Sequence, residues 1–320
     1  MTVHLVVGPE HHGVVAHAQL LLSQPPFAGT SVVRAADAQQ ARARLRPHPD
    51  TDVHVHFTDQ LFGGVGRARS TLAELTAGRR YSVTLHDVPQ PSDGPLQSAR
   101  SEVYRSVARG SRLVVVSSRH EARLLADLGL ADVPVEVVAL PVLPRQRTAR
   151  PGGCAVAIAG FIYPGKGHEQ VLAAMAGLPR AARLLNLGAP SPGHETLVDR
   201  YAGSAAELGR TFACTGYLPD AQLLDAMATV RVPVAAPAHV SASGSLTHWN
   251  AAGRRPVATR NPFAEEVATL NPGAICLVDD LAAALRRAWD DPDSTVLPSA
   301  LAVQPSPERA AHQLARVLQS

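Results

Sequence analysis

Short β-branched runs and longer stretches of helical periodicity take turns from one end of the chain to the other, and no other feature restricts its fold so tightly. Extended runs fall at 3–8 (VHLVVG), 30–35, 52–57, 81–86 (YSVTLH), 113–117 and 134–139. Between them, 14–24, 37–45, 66–77, 96–108 and 119–129 place apolar residues three and four apart, the spacing of one helix face. A second series repeats the pattern, with strands at 154–159, 183–187, 212–217, 231–236, 256–259 and 274–278. Its helices fall at 168–177, 194–208, 219–229, 245–253, 263–270 and 281–290. Strand–helix alternation demands parallel sheets, because a parallel neighbour can be reached only by a crossover, and crossovers are right-handed. The fold class is therefore α/β, with two Rossmann-like domains and parallel sheets.

The segment 140–153, "LPVLPRQRTARPGG", keeps neither period and reads as the connection between the two series. Expected boundaries are 1–142 for an N-terminal domain, 143–303 for a C-terminal one and 304–320 for a last helix, 306–319, able to pack on either. With 320 residues the chain is long for one core and comfortable for two. Two such domains joined by a hinge imply a ligand cleft at the facing carboxyl ends of their strands.

Charge excludes some functions. A net charge of +3 arises from scattered arginines without a basic block, which argues against nucleic acid. The arginines of 37–45 and 96–109 alternate with polar residues and glutamate and read as solvated faces rather than a membrane-binding surface. No apolar run approaches the roughly 18 residues of a membrane span, and "MTVHLVVGPE" lacks the pattern of a signal peptide. Cys154, Cys214 and Cys276 are far apart and odd in number, as expected of reduced core residues in a cytoplasmic protein.

Against this background one residue stands out. Lys166 is the only lysine among thirty basic residues, and it lies in "GFIYPGKGHEQ" between a strand and a helix start. Gly160, Gly165 and Gly167 let backbone approach a ligand, and a compact ammonium beside free N–H groups suits a phosphate. The loop is not a Walker sequence, since glycine follows the lysine, and "VVGPEHHGVV" lacks the dinucleotide glycine spacing. A second small-residue turn, "SASGSL" at 241–246, brings Ser243, Gly244 and Ser245 to another helix start, and the pair makes a plausible diphosphate site.

The fourteen histidines dilute any single signal. His86, ending a strand beside Asp87, is the strongest; His11 and His12 precede Gly13 in the first loop. His54 and His56 alternate along one strand and share a face, but without an evident third metal ligand they read as core. The D-x-D pairs at Asp50–Asp52 and Asp291–Asp293 lie beside prolines and read as turns, so no metal is expected.

Four stretches together, 114–125, 160–174, 215–237 and 241–259, resemble the retaining glycosyltransferases of family 4, which have the GT-B architecture. The resemblance covers nearly the whole chain. It implies a hexosyltransferase acting on a nucleotide-diphosphate sugar, GDP-mannose or a UDP-hexose, as co-substrate, without cofactor or metal, and on a carbohydrate or small hydroxyl acceptor. It further implies that Lys166, Gly160 and Gly167 hold the diphosphate and that His86 and Asp87 face the transferred sugar. Gly13 and Val14 would belong to the loop where donor and acceptor meet, with His11 and His12 on the acceptor. Tyr217 and Leu218 would line the base, with Tyr163, Ser243, Gly244, Ser245 and Asn250 completing the donor set. The chain also departs from the family. Phe161 and Tyr163 stand where an arginine partner of the lysine is usual, and the two glutamates of the family fall at Ser241 and Trp249. Asn250, Ser243 or Arg254 are the available substitutes. The alternative is a catalytically weak binding protein for sugar nucleotides or glycans.

Overall fold

The computed structural model describes residues 2–319. Its backbone separates into two units, one formed by the residues up to Pro141 with those from Pro305 onward, the other by Val142–Gln304. The first unit is built from β1 (Thr2–Val7), α1 (Gly13–Leu22), β2 (Val32–Ala35), α2 (Ala38–Leu45), β3 (Asp52–Phe57) and α3 (Ala68–Leu75). It continues through β4 (Tyr81–Leu85), α4 (Gln97–Gly110), β5 (Val114–Val116), α5 (Arg119–Asp127) and β6 (Val135–Val137).

The second unit begins with β7 (Gly152–Ala159), α6 (His168–Ala174), β8 (Arg183–Leu187), α7 (Thr196–Glu207), β9 (Phe212–Cys214) and α8 (Asp220–Thr229). It ends with β10 (Val230–Ala235), α9 (Gly244–Ala251), β11 (Val257–Thr259), α10 (Pro262–Leu270), β12 (Cys276–Val278) and α11 (Leu281–Asp290). A last helix, α12 (Pro307–Gln319), returns to the first unit. Each sheet is six-stranded and all-parallel, ordered β2-β1-β3-β4-β5-β6 and β12-β11-β10-β7-β8-β9. Every strand and helix read from the apolar period is present, with ends displaced by a few residues.

The sequence left the placement of α12 open, and its apolar stripe settles it. Ala310, Ala311, Leu314 and Leu318 are buried with Val15, Ala18 and Leu21 of α1 and with Val115 of β5. Arg112 fixes the end of the helix by donating to Leu318 O at 2.7 Å. The connecting segment is irregular, as its composition requires, but it is no free tether. From Val142 on it belongs to the second unit, where Gln146 N donates to Ala251 O at 2.7 Å and Arg150 N to Ala228 O at 2.8 Å. Arg145 donates to Leu297 O and Pro298 O, and Arg147 pairs with Asp225.

In a doubly wound sheet, ligands gather outside the carboxyl ends of the strands where the winding reverses. In the second unit that point lies between β7 and β10, whose following loops carry Lys166 and Ser243. In the first it lies between β1 and β3, with α1 starting at Gly13 above it. Among the described residues no helix is long and apolar enough to cross a membrane. The three cysteines are free thiols, half-buried rather than fully in the core.

Candidate functional site

The loops after β7 and β10 are sewn together. Gly167 has φ +102°, and a Cβ there would lie 2.0 Å from Ala236 O, so only glycine allows the contact. Two residues away on each segment, Ala238 N donates to Gly165 O at 2.9 Å. The lysine loop is therefore held against the segment that leads to Ser243, Gly244 and Ser245. On its other side Gly188, after β8, has φ +146° and would drive a Cβ to 2.4 Å from Gly160 O. Gly188 N in turn donates to Thr215 Oγ1 at 3.0 Å, which brings in the loop of Tyr217 and Leu218. Four loops thus meet along the carboxyl edge of one sheet.

Lys166 is half-buried there, its Nζ 5.4 Å from the centre of the Tyr163 ring and adjacent to Gly160. The aromatic face orients the ammonium without neutralising it, so its charge stays available to an anion. Tyr163 thus supports the ammonium from one side, while Phe161 is partly exposed. Ser243 caps α9 without a side-chain bond to the helix; its Oγ lies 2.9 Å from Ser245 Oγ. The N–H groups at this helix start and the two hydroxyls form a polar lip beside the lysine loop. Tyr217 is 61% exposed and Leu218 half-buried.

Sequence reading missed the brace beneath this loop. His168 and Asn186 are both buried; His168 Nε2 lies 2.9 Å from Asn186 Oδ1, and Asn186 Nδ2 donates to Gly160 O and Gly188 O at 3.1 and 2.9 Å. The His168 ring stacks on Tyr201 at 4.8 Å. Burial lowers the His168 pKa to about 4, against the Asn186 bond, with Lys166 lowering it slightly further. A neutral imidazole thus orients the amide that ties Gly160 O of the lysine loop to Gly188 O of the loop after β8.

Two residues offered as ligand groups, and the tryptophan at one expected glutamate position, are turned to structure. Asn250 is buried and its amide donates to Arg254 O at 3.1 Å and Ala274 O at 2.7 Å, closing the end of α9 rather than facing a ligand. Arg254 is fully buried, donating to Val230 O at 2.6 Å, Arg231 O and Thr295 at the exit of α8, where burial lowers its pKa to about 10. Trp249 is fully buried in the core beside β7 and α8. Asn250 and Arg254 are both committed to backbone carbonyls, whereas Ser243 makes no side-chain bond to the backbone of α9.

In the first unit, His12 caps α1: its Nδ1 accepts from Val14 N at 3.2 Å. Val14 has its side chain buried and its N–H engaged, so it offers a ligand neither, whereas Gly13 and His11 are exposed. Burial and then His11 lower the pKa of His12. At the end of β4, His86 is 9% exposed, its N–H donating to Phe57 O and its carbonyl accepting from Tyr104 at 2.6 Å. Its Nε2 has no hydrogen-bond partner among the described residues. Burial, His17 and His12 hold its pKa well below 6.5, so the ring is neutral and free to donate or accept one bond.

Asp87 is the only non-glycine described residue with positive φ, at 56°. Arg100 holds it there, donating to both Asp87 O and Asp87 Oδ2 at 2.8 Å while also pairing with Asp59 at 3.1 Å and Asp93 at 2.7 Å. Three carboxylates share one buried guanidinium. The reading of α4 arginines as solvated fails at this position, because Arg100 is only 6% exposed. Of the D-x-D aspartates, Asp52 starts β3 and pairs with Arg80, whereas Asp291 caps and Asp293 lies within a turn of 3-10 helix.

No protein-family model matches the chain, and no curated protein matches it. Solved structures do. HepE of Anabaena in complex with UDP and glucose superimposes with a TM-score of 0.77 over 100% of this chain and 99% of that one, at 14% identity. Sucrose-phosphate synthase of Thermosynechococcus elongatus matches with a TM-score of 0.76 over 99% and 98%, at 16% identity. The UDP-forming trehalose-phosphate synthase of Burkholderia xenovorans in complex with glucose-6-phosphate matches at 0.59 over 88% and 76%, also at 16% identity. The chain has the GT-B fold. At these identities the likeness concerns the fold.

Proposed function

We propose that this protein is a glycosyltransferase that moves a hexose from a nucleotide-diphosphate sugar to a carbohydrate or small hydroxyl acceptor, with retention of configuration. The observation that carries the proposal is the contact of Gly167 on the Ala236 carbonyl, which holds the Lys166 loop against the segment leading to the Ser243–Gly244–Ser245 turn, at the winding switch of the second sheet. Lys166, the start of α9 and the serine hydroxyls would take the charge that develops on the departing diphosphate, with no metal at that position. His86, neutral, and Asp87, held by Arg100, would hydrogen-bond the transferred sugar, and His11 with Gly13 would meet the acceptor. Tyr217 and Leu218 would flank the base.

Two structures of HepE carry UDP with glucose or UDP-glucose itself, which favours a UDP-hexose as donor over GDP-mannose. The burial of Trp249 at a position where family 4 resemblance expects a glutamate supports a second reading, a protein that binds a sugar nucleotide with weak or no transfer.

Calorimetric titration of UDP, GDP and ADP into the wild type and Lys166→Ala tests the site. Losing a charged hydrogen bond of about 1.5–3 kcal/mol predicts roughly ten- to hundredfold weaker binding in the variant. Failure of a folded wild type to bind any of the three overturns the proposal. Binding without sugar transfer to any acceptor supports the second reading.

A further inference from the structure

The face of the first sheet that packs under α1 is lined with histidines. In-register pairing sets His4 of β1 beside His54 of β3, and His54 and His56 beside Ser82 and Thr84 of β4. His4, His54 and His56 are 2%, 0% and 0% exposed, and one ring nitrogen from each lies within 4.8 Å of the others. His4 Nδ1 and both nitrogens of His56 lack a hydrogen-bond partner among the described residues. Buried polar nitrogens are ordinarily satisfied, so three orphans in one cluster call for an occupant.

We propose that His4, His54 and His56 form a binding site for a divalent transition-metal ion of the zinc class, separate from the diphosphate site. Two of the three ring spacings match such a site, and the third, His4–His56, would have to close by about 1 Å. In a tetrahedral site with Zn–N of about 2.0–2.1 Å, imidazole centres lie roughly 5.2 Å apart. The observed separations are 5.3 Å for His4–His54, 5.1 Å for His54–His56 and 6.5 Å for His4–His56. Nitrogen donors without carboxylates select zinc, cobalt, nickel or copper over magnesium and calcium.

His54 lies within hydrogen-bond distance of Ser82 Oγ at 2.9 Å and Thr84 Oγ1 at 2.8 Å; ligating through one nitrogen leaves the other to donate to its hydroxyl. Metal-bound imidazoles are oriented in just this manner. The fourth position is left to a solvent ligand. His4 also lines an open pocket of about 630 Å³ with Phe27, Arg80 and Arg112, so one edge of the cluster borders that pocket. On the opposite side the His56 ring stacks on His86 at 5.9 Å, so an ion here would stiffen the floor beneath His86. The proposal rests on the first unit alone and stands or falls independently of nucleotide binding.

Cobalt(II) titration of the chelator-stripped, full-length protein is the test. The expected result is one ion per chain, the intense visible absorption of a four-coordinate cobalt site, and its bleaching by one equivalent of zinc. His4→Gln and His56→Gln should each abolish the band. Folded wild type that shows no such band, or variants that retain it, overturn the proposal. Should the variants not fold, zinc-edge anomalous diffraction from wild-type crystals decides: a peak among the three rings supports the site. Ordered water there without a peak, or zinc on exposed histidines only, overturns it.

Discussion

Acidification should unfold the first unit before the second. His4 in the first unit and His168 in the second are both buried and both have pKa values lowered from 6.5 to about 4. Their unfolded forms therefore bind a proton that the folded forms refuse, and stability falls as pH drops from 6.5 toward 4. Each such histidine costs about 2 kcal/mol at pH 5, rising toward roughly 3.4 kcal/mol at lower pH. In the second unit His168 bears this alone among the groups with a resolved histidine shift. In the first, His54, His56 and His86 are lowered well below 6.5 by burial and by one another, and add to the loss of His4. A typical domain has only about 5–15 kcal/mol to lose.

The two tryptophans, Trp249 and Trp289, both belong to the second unit and report it selectively. Urea titrations of chelator-treated protein at pH 7.5 and 5.0, followed by far-ultraviolet dichroism and tryptophan fluorescence, should coincide poorly at the lower pH, with dichroism changing first. The fluorescence transition should lose about 2 kcal/mol, a loss that His168→Gln abolishes. Stability unchanged between the two pH values, or fluorescence leading dichroism, would refute the assignment of these rings as neutral buried groups.

Two further substitutions test the geometry. Gly167→Ala puts a Cβ 2.0 Å from Ala236 O at a left-handed backbone position; it should part the lysine loop from the 236–246 segment and weaken UDP binding at least about tenfold. Gly165→Ala, also left-handed but with open space around it, should cost only the roughly 1–2 kcal/mol of backbone strain, and equal effects on UDP binding would argue against the contact. Arg100→Leu leaves Asp59 buried without its partner and frees Asp87; a urea-measured loss of about 3–5 kcal/mol is expected, and a loss under about 1 kcal/mol would show that the carboxylates do not depend on it.

What the sequence determined by itself was whatever depends on neighbours a few residues away. Apolar period located every strand and helix, and alternation alone required parallel sheets. The lone lysine among glycines marked the loop at the winding switch of the second sheet, since chain flexibility and charge are both local properties. The position of His86 and Asp87 just past a strand end was legible for the same reason, at the end of a β-branched run.

Tertiary structure decided everything that rests on register and burial. His4 stands in an ordinary first strand, and only the pairing of β1 with β3 makes it the third member of the cluster begun by His54 and His56. Arg100 reads as one polar residue among many on α4 until Asp59, Asp87 and Asp93 converge on it from other loops. Asn250 and Arg254 have the chemistry of ligand-binding groups, but burial spends that chemistry on backbone carbonyls at helix ends. His168 and Asn186, eighteen residues apart, brace the lysine loop through bonds that no local pattern encodes. Hydrogen bonds and charge are properties of a residue type; which partner receives them is a property of the fold.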